Sequence, residues 1–442
     1  MYACVKVISP IGGTPPFFED FTGVNDAKTG TPFAITAAFL MGGYCPPNAL
    51  TYYGTFDDSS FHWDLGFYHT TQQGSQGGGT CADFALKICS GADGYGYALM
   101  DTFPDIFFGG YIGGFGYINN VVPGGFRVNW DRRDRAGDAK IMLCVGLDSD
   151  PNVGIEINGN AVNGTYGFAK KPQGFITWPT VFGSPGSGPA VTGAGGTGWG
   201  LGWNSIDNNR GHLVDSAGSQ GNNSCQQWTD RFEPGGAFIS AWNPLSYTIS
   251  SGTGARYPQA VLTGINGRTA SGSFRIPPTD GLYSFTNTIN AVFMMFATVG
   301  LAPGTFDNVN SSGCIGIADG VNQASYWTGE STQGNNPLKG ARFLSTSKVL
   351  RNGLANNAAT TQKNIGNVVS ISETGTVVMN FTNTDGTSPE VIWTAWGTAR
   401  IPQTNSGIHF INPDKPQKHD SYNNALEVKI PDPTIRTADI GS

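Results

Sequence analysis

Apolar and polar residues alternate along the chain in short runs, and the runs recur. In residues 125–130, Phe126, Val128 and Trp130 alternate with Arg127 and Asn129, the period of a strand with one buried face. A charged stretch follows, then the unbroken apolar run Ile141, Met142, Leu143, Cys144, Val145, closed by Gly146. The same sequence of features returns at residues 376–381, a polar stretch, and residues 391–397, and in shorter form at 246–249 and 259–264. Asn129 to Gly146 and Asn380 to Gly397 are both intervals of 17 residues. Each copy reads as strand, polar turn, strand.

Two further landmarks precede this closing pair. Residues 47–53, 172–178 and 289–295 each read as an opening strand. Leu65-Gly66-Phe67, Leu201-Gly202-Trp203 and Ile315-Gly316-Ile317 form a glycine-centred strand. From that glycine to the closing glycine the chain runs 80, 62 and 81 residues in the three copies. Ordered landmarks with matched spacing predict one supersecondary design used three times. A glycine inside a strand marks a bulge or a close backbone approach, and packing outweighs ligand contact as its reason. The predicted divisions are residues 1–149, with an extended, proline-bearing start; 150–266, the shortened copy; 267–398; and an extended proline-rich arm, 399–442.

Composition narrows the class. In 442 residues there are 64 Gly and 26 Pro, which disfavour helix interiors, while 12% aromatic content argues against disorder. A net charge of −7 without a basic run argues against a nucleic-acid grip. The longest apolar run, residues 291–302, is too short to span a bilayer, and the first residues lack a secretory signal pattern. The expectation is a product made in a cytoplasm without membrane insertion. Seven Cys show no zinc spacing; Cys81 and Cys89 are spaced to bridge a loop, although spacing alone does not fix pairing.

At these landmarks the sequence resembles repeat domains of tail-fibre, tail-associated and other structural proteins of tailed phages. The resemblance rests on the opening strands, on residues 65–73 and 315–323 with their glycine-centred start and polar follow-up, and on the closing pair. It is best over 285–398, fair over 120–150 and weaker elsewhere. It implies an all-β chain of three consecutive β-sandwich units, lectin- or jelly-roll-like, with extended N- and C-terminal arms. It also implies a virion component and carries over no catalytic residue and no cofactor. The leading expectation is a non-enzymatic tail-fibre or tail-tip component for host attachment. Its partners would be other virion proteins, further copies of itself (a trimer suits the role) and a host-surface glycan or protein. The rivals are a head decoration or collar protein, a tail protein that binds or degrades polysaccharide, and a cellular carbohydrate-binding module.

Candidate chemistry is sparse. Asp57, Asp58, His62, Asp64 and His69 form the densest polar cluster. However, His62 and Asp64 alternate with Phe61, Trp63 and Leu65, as the polar face of one strand does, and no metal set or catalytic set is discernible. Residues 131–138 are the one strong charge run; Arg132, Arg133 and Arg135 are partner-contact candidates there, against the plainer reading of a solvated hairpin end. The middle copy is rich in Trp, so Trp199, Trp203 and Trp228 are candidates for stacking on a sugar ring. Asn222 and Asn223 add amides that read hydroxyls. The competing reading places these Trp in the core.

Overall fold

Strands that are apolar on one face and strands that are apolar on both sort into different sheets. The computed structural model describes Met1–Ala399 except residues 9–16, 43–45, 54–63, 70–83, 91–95, 102–104, 108–113, 134–138, 148–151, 162–163, 178–196, 207, 219–223, 230–237, 251–256, 265–267, 299–305, 308–309, 332–338 and 356–359; residues 400–442 also lie outside the description. Met1–Ala399 is one compact unit. Among the described residues every regular element is a strand and none is a helix.

In chain order the strands are β1 (Tyr2–Ile8), β2 (Phe17–Phe21), β3 (Val24–Asn25), β4 (Pro32–Phe33), β5 (Ala37–Gly42), β6 (Thr51–Tyr53), β7 (Asp64–His69), β8 (Phe84–Ser90), β9 (Gly96–Asp101), β10 (Asp105–Phe107), β11 (Gly114–Val122), β12 (Gly125–Arg133) and β13 (Lys140–Gly146). Then come β14 (Gly154–Ala161), β15 (Gly164–Gly167), β16 (Pro172–Thr177), β17 (Thr197–Ser205), β18 (Asn208–Gly218), β19 (Ser224–Thr229), β20 (Phe238–Asn243), β21 (Ser246–Ser250) and β22 (Tyr257–Thr263). The last stretch holds β23 (Thr269–Arg275), β24 (Gly281–Thr286), β25 (Ile289–Thr298), β26 (Phe306–Asp307), β27 (Asn310–Ala318), β28 (Gln323–Ser331), β29 (Lys339–Ser345), β30 (Leu350–Ala355), β31 (Thr360–Ile371), β32 (Thr376–Thr382) and β33 (Glu390–Ala399).

Three large antiparallel sheets run β1-β13-β5-β7-β8-β9, β14-β22-β16-β17-β18-β19-β26 and β23-β33-β25-β27-β28-β29-β6. Three small ones run β10-β11-β12-β2, β15-β21-β20 and β24-β32-β31-β30, and β3 and β4 form a two-stranded ladder. Strands of the small sheets bury alternate residues: Val377, Met379 and Phe381 in β32, Tyr247 and Ile249 in β21. The inner strands of the large sheets bury consecutive residues, such as Ile141 to Val145 and Phe293 to Ala297, because both of their faces are covered.

One face of each large sheet meets a small sheet. Met142, Cys144, Phe21 and Phe126 share one such core; Val261, Phe175, Tyr247 and Ile249 a second; Phe296, Trp393, Met379 and Phe381 a third. The opposite faces of all three large sheets join in a single cluster. Val5, Phe39, Ile141, Leu143 and Val145 come there from the first stretch, Ile176, Trp203 and Leu262 from the second, and Phe293, Met295, Ile317 and Trp396 from the third. Phe39 contacts Trp396 edge-on at a ring separation of 5.8 Å, and Phe293 lies 5.6 Å from the same indole.

Backbone ladders also cross between stretches. Thr51, Tyr52 and Tyr53 of β6 pair with Arg342, Ala341 and Gly340 of β29, and Asn48 is fixed beside them by its amide bonds to Thr346. Phe306 and Asp307 of β26 pair with Gln226 and Cys225 of β19.

Several expectations need correction. The chain start is not an extended arm at residues 2–8: β1 pairs with β13 over its whole length, because Ala3 and Val5 face the shared core while Cys4 faces the outer one. Residues 47–53 do not open the first copy. That place beside β13 belongs to β5, whose Phe39 and Met41 face inward, and residues 51–53 pair in the third stretch's sheet instead. The closing strand–turn–strand is no hairpin: β12 and β13 lie in different sheets, as do β21 and β22, and β32 and β33. A one-face strand followed by a two-face strand must change layers to bury both. The charge run begins inside a strand, since β12 continues through Arg132 and Arg133 opposite Phe115 and Gly114. The glycine-centred strands take the fourth place in each large sheet, as β7, β17 and β27. Packing is the reason at Gly316, where a Cβ would run into the Val349 carbonyl, and at Gly397, where it would meet that of Asn290.

Candidate functional site

The sequence-predicted site residues do not converge. Trp203 is fully buried in the cluster shared by the three large sheets, so it is withdrawn as a sugar platform. Its apolar neighbours on both faces of β17 made the strand's exposed side unreadable. Trp199 and Trp228 sit on β17 and β19, opposite Ser216 and beyond Gln226 respectively, and their side chains lie outside the described residues, as do Asn222 and Asn223. The side chains of Arg132 and Arg133 and the whole of Arg135 are likewise outside. So are Asp57, Asp58 and His62 and the side chains of Asp64 and His69, although β7 places the last two at opposite ends of one strand. Trp242 is half-buried against Phe175 and Tyr247.

The structure instead brings together charged groups where the first and third stretches meet. β1 is an edge strand, and its outward N–H groups would be an open template for further pairing. Two buried carboxylates close it. Ala3 N–H donates to Asp26 Oδ1 at 3.0 Å, and Val5 N–H donates to Asp319 Oδ2 at 2.7 Å. Asp26 is oriented by the Thr29 N–H and hydroxyl, which donate to Oδ2 at 2.9 and 2.8 Å. Asp319 is oriented by the N–H groups of Val321 and Asn322 in its own turn, at 2.9 and 2.6 Å. Between them Lys28 donates to the Ala291 carbonyl at 2.7 Å.

The electrostatics follow from this geometry. Burial pushes the Asp26 carboxyl up, but the hydrogen bonds from Ala3, Thr29 and Lys28 outweigh it and hold the group below its usual range. Burial of the Lys28 ammonium lowers its pKa, opposed by the charges of Asp26, Asp319 and Glu373. Carboxylates occupied in this way hold backbone in place. Isolated Asp and Lys in turns carried no signal in the sequence beyond the turn pattern Asp26–Thr29.

The described thiols are buried as well. Cys4 and Cys144 face one another across the β1–β13 ladder, and Cys314 is buried on β27; all three are free. Burial raises each, Cys144 and Cys314 to about 12, so thiolate is scarce at neutral pH. Cys81 lies outside the described residues, as does the side chain of Cys89. Among the described residues no group of three His, Cys, Asp or Glu is placed to hold a metal ion, and no helix is long and apolar enough to cross a membrane. No protein-family model matches the chain, and no curated protein matches it.

Proposed function

We propose that the chain is three copies of one two-sheet sandwich unit, at 1–149, 150–266 and 267–398, and that it serves as a structural protein of a tailed-phage particle acting in host attachment at a tail fibre or tail tip. One observation carries the reading: the strand order recurs. In each large sheet the first strand of the stretch lies at the edge, the last beside it, and then four strands follow in chain order. In each small sheet the stretch's second strand pairs with its penultimate one, and that in turn with the strand before it.

The joints between copies repeat in the same sense. The first strand of the first copy meets the turn after β27 in the third through Val5 and Asp319. The first strand of the third copy meets the end of β17 in the second, where Ser205 and Ser271 hydroxyls lie 2.7 Å apart. Likewise β6 passes from the first copy to the third and β26 from the third to the second. Three units held on one shared core would offer repeated contacts, and weak contacts multiply when held together. The role is adhesive and structural, not catalytic. Its partners are other virion proteins, further copies of the chain and a host-surface glycan or protein.

A second reading, a head decoration or collar protein, is favoured by the strands β6 and β26 that pass from one stretch's sheet to another's, the kind of exchange that locks neighbours in a shell. Gold-labelled antibody in electron microscopy separates the two. Label at the tail end is the expected result. Label over the head replaces attachment with shell stabilisation, and label on no particle removes the virion assignment and returns the polysaccharide-degrading reading.

A further inference from the structure

The third small sheet ends in an unguarded edge. β24 pairs with β32 on one side, and among the described residues no strand lies on its other side. The devices that keep an edge from pairing are missing from it. Its six residues, Gly281 to Thr286, include no charge and no proline, and its ladder with β32 runs without a bulge. The edge strand β1, by contrast, has N–H groups closed by Asp26 and Asp319. On the outer face of β24, Leu282 is 73% exposed. On the inner face, Tyr283 and Phe285 are only partly buried, although their rings stand 5.2 and 5.1 Å from that of the core residue Phe274.

The same place is covered by polar pairs in the other small sheets. In the first, Arg127 forks onto Asp20; in the second, the Thr165 and Thr248 hydroxyls meet at 2.9 Å. In the third, Ser284 stands opposite Val378 and Leu282 opposite Asn380. Neither pair carries a charge, so a strand added here desolvates no ion. The chain also contains a run that fits. Beyond Ala399, in residues 400–442, Leu426, Val428 and Ile430 alternate with Glu427 and Lys429, between Asn423-Asn424 and Pro431. This is the pattern of a strand with one apolar face, bounded by turn formers, and residues 425–430 match β24 in length.

We propose that residues 425–430 of one copy add as a further strand to the β24 edge of a neighbouring copy. Pro402, Pro413 and Pro416 favour an extended connection from Ala399, which suits reach toward a neighbour rather than return. Leu426, Val428 and Ile430 continue the inner face beside Tyr283 and Phe285. Glu427 and Lys429 face water, with the aliphatic stem of Lys429 on the side of Leu282. Main-chain hydrogen bonds supply the affinity, and the apolar phase sets the register. The contact joins two different surfaces, so it closes into a ring or a reciprocal pair of copies. The inference goes beyond the attachment reading and holds wherever the assembly acts.

Sedimentation velocity of the full chain over a concentration series, with hydrogen exchange on the same samples, tests it. Association that grows with concentration is expected, with amides of 281–286 and 425–430 gaining protection together. Val428 lies outside the compact unit Met1–Ala399, so Val428→Asp leaves the core of that unit intact. It should weaken association roughly tenfold or more and return the 281–286 amides to fast exchange, while those of 289–298 stay protected. Ile408→Asp, in the same arm but outside the run, should associate as the parent does. A chain that stays monomeric at every concentration overturns the proposal, and a monomer with 281–286 protected assigns the edge to its own arm instead. Association that survives Val428→Asp, or that Ile408→Asp weakens equally, also overturns it. Association through this edge without label on any particle removes the virion role alone, and tail-end label without association removes this contact alone.

Discussion

The outer cores of residues 150–266 and 267–398, the second and third copies of the proposed repeat, are built on different principles. In the third, a long series of aliphatic and aromatic side chains fills the space between sheets: Ile289, Met294, Phe296, Leu350, Val377, Met379, Phe381, Val391 and Trp393 among them. In the second, the buried set among the described residues is Phe175, Ile239, Tyr247, Ile249 and Val261, and the described small sheet has three strands instead of four. The shortened copy compensates with rings. Tyr247 lies within 5.0 Å of the Phe168 centroid and 5.5 Å of those of Phe175 and Trp242. The second copy also sends Ile155, Ile176, Trp203, Ala260 and Leu262 into the cluster it shares with the other two, and we expect it to depend on that cluster.

The strongest way to break that comparison is to separate the copies. A fragment of residues 152–264 should be unfolded by circular dichroism, because Ile155, Ile176, Trp203 and Leu262 lose the partners that cover them. A fragment of residues 268–399 should keep strand signal from its larger outer core. It should nevertheless associate in light scattering, because Phe293, Met295, Ile315, Ile317 and Trp396 would form an exposed apolar face. A monodisperse, cooperatively folding 152–264 fragment would mean that the shared cluster is not what holds the second copy.

A smaller effect comes from the hub of the second copy. The buried Tyr247 hydroxyl hydrogen-bonds Gln259 Oε1 across the layer between β21 and β22. Tyr247→Phe keeps the ring packing and removes the donor from a residue that is 1% exposed, which should cost about 1–3 kcal/mol in denaturant unfolding. An unchanged midpoint would show that the rings alone hold the two sheets together.

The contrast between copies was partly legible in the sequence. The alternating residues of 376–381 and the largely apolar run at 391–397 announced a one-face and a two-face strand, and the shared interval of 17 residues announced their recurrence. The short span of the middle copy announced its thinness. What could not be read was pairing. Ladder partners lie far apart in the chain, so the closing pair looked like a hairpin although it crosses between layers. The aromatic Tyr52 and Tyr53 outweighed Ala37 and Ala38 in strand propensity, yet the alanines sit in the sheet interior, where covering side chains matter more than intrinsic preference. Trp203 looked like a platform because a strand covered on both faces has no polar period to show which side is wet. Asp319 is a single residue whose role depends on Val5, 314 positions away, which no composition reveals.

The smallest expected effect concerns pH, and it also falls unevenly between copies. Asp26 belongs to the joint of the first and third copies and Asp385 to the third. Burial pushes Asp385 up, but its bonds from Thr387 and Asn364 and the charge of Lys363 hold it below the ordinary range, as Ala3, Thr29 and Lys28 do for Asp26. A carboxyl with a lower pKa in the folded chain than in the unfolded one binds fewer protons when folded. Its stabilisation is therefore complete above the unfolded value of about 4 and declines as pH falls through the lower folded value. Denaturant midpoints should hold steady from neutrality to about pH 5 and drop below about pH 4. Asp26→Asn should lessen that drop while lowering the midpoint at neutral pH, because the amide accepts at one atom only and leaves either Ala3 or Thr29 with a poorer partner. An acid limb unchanged in Asp26→Asn would assign the acid sensitivity to carboxylates elsewhere and leave the joint between the first and third copies held by its apolar contacts.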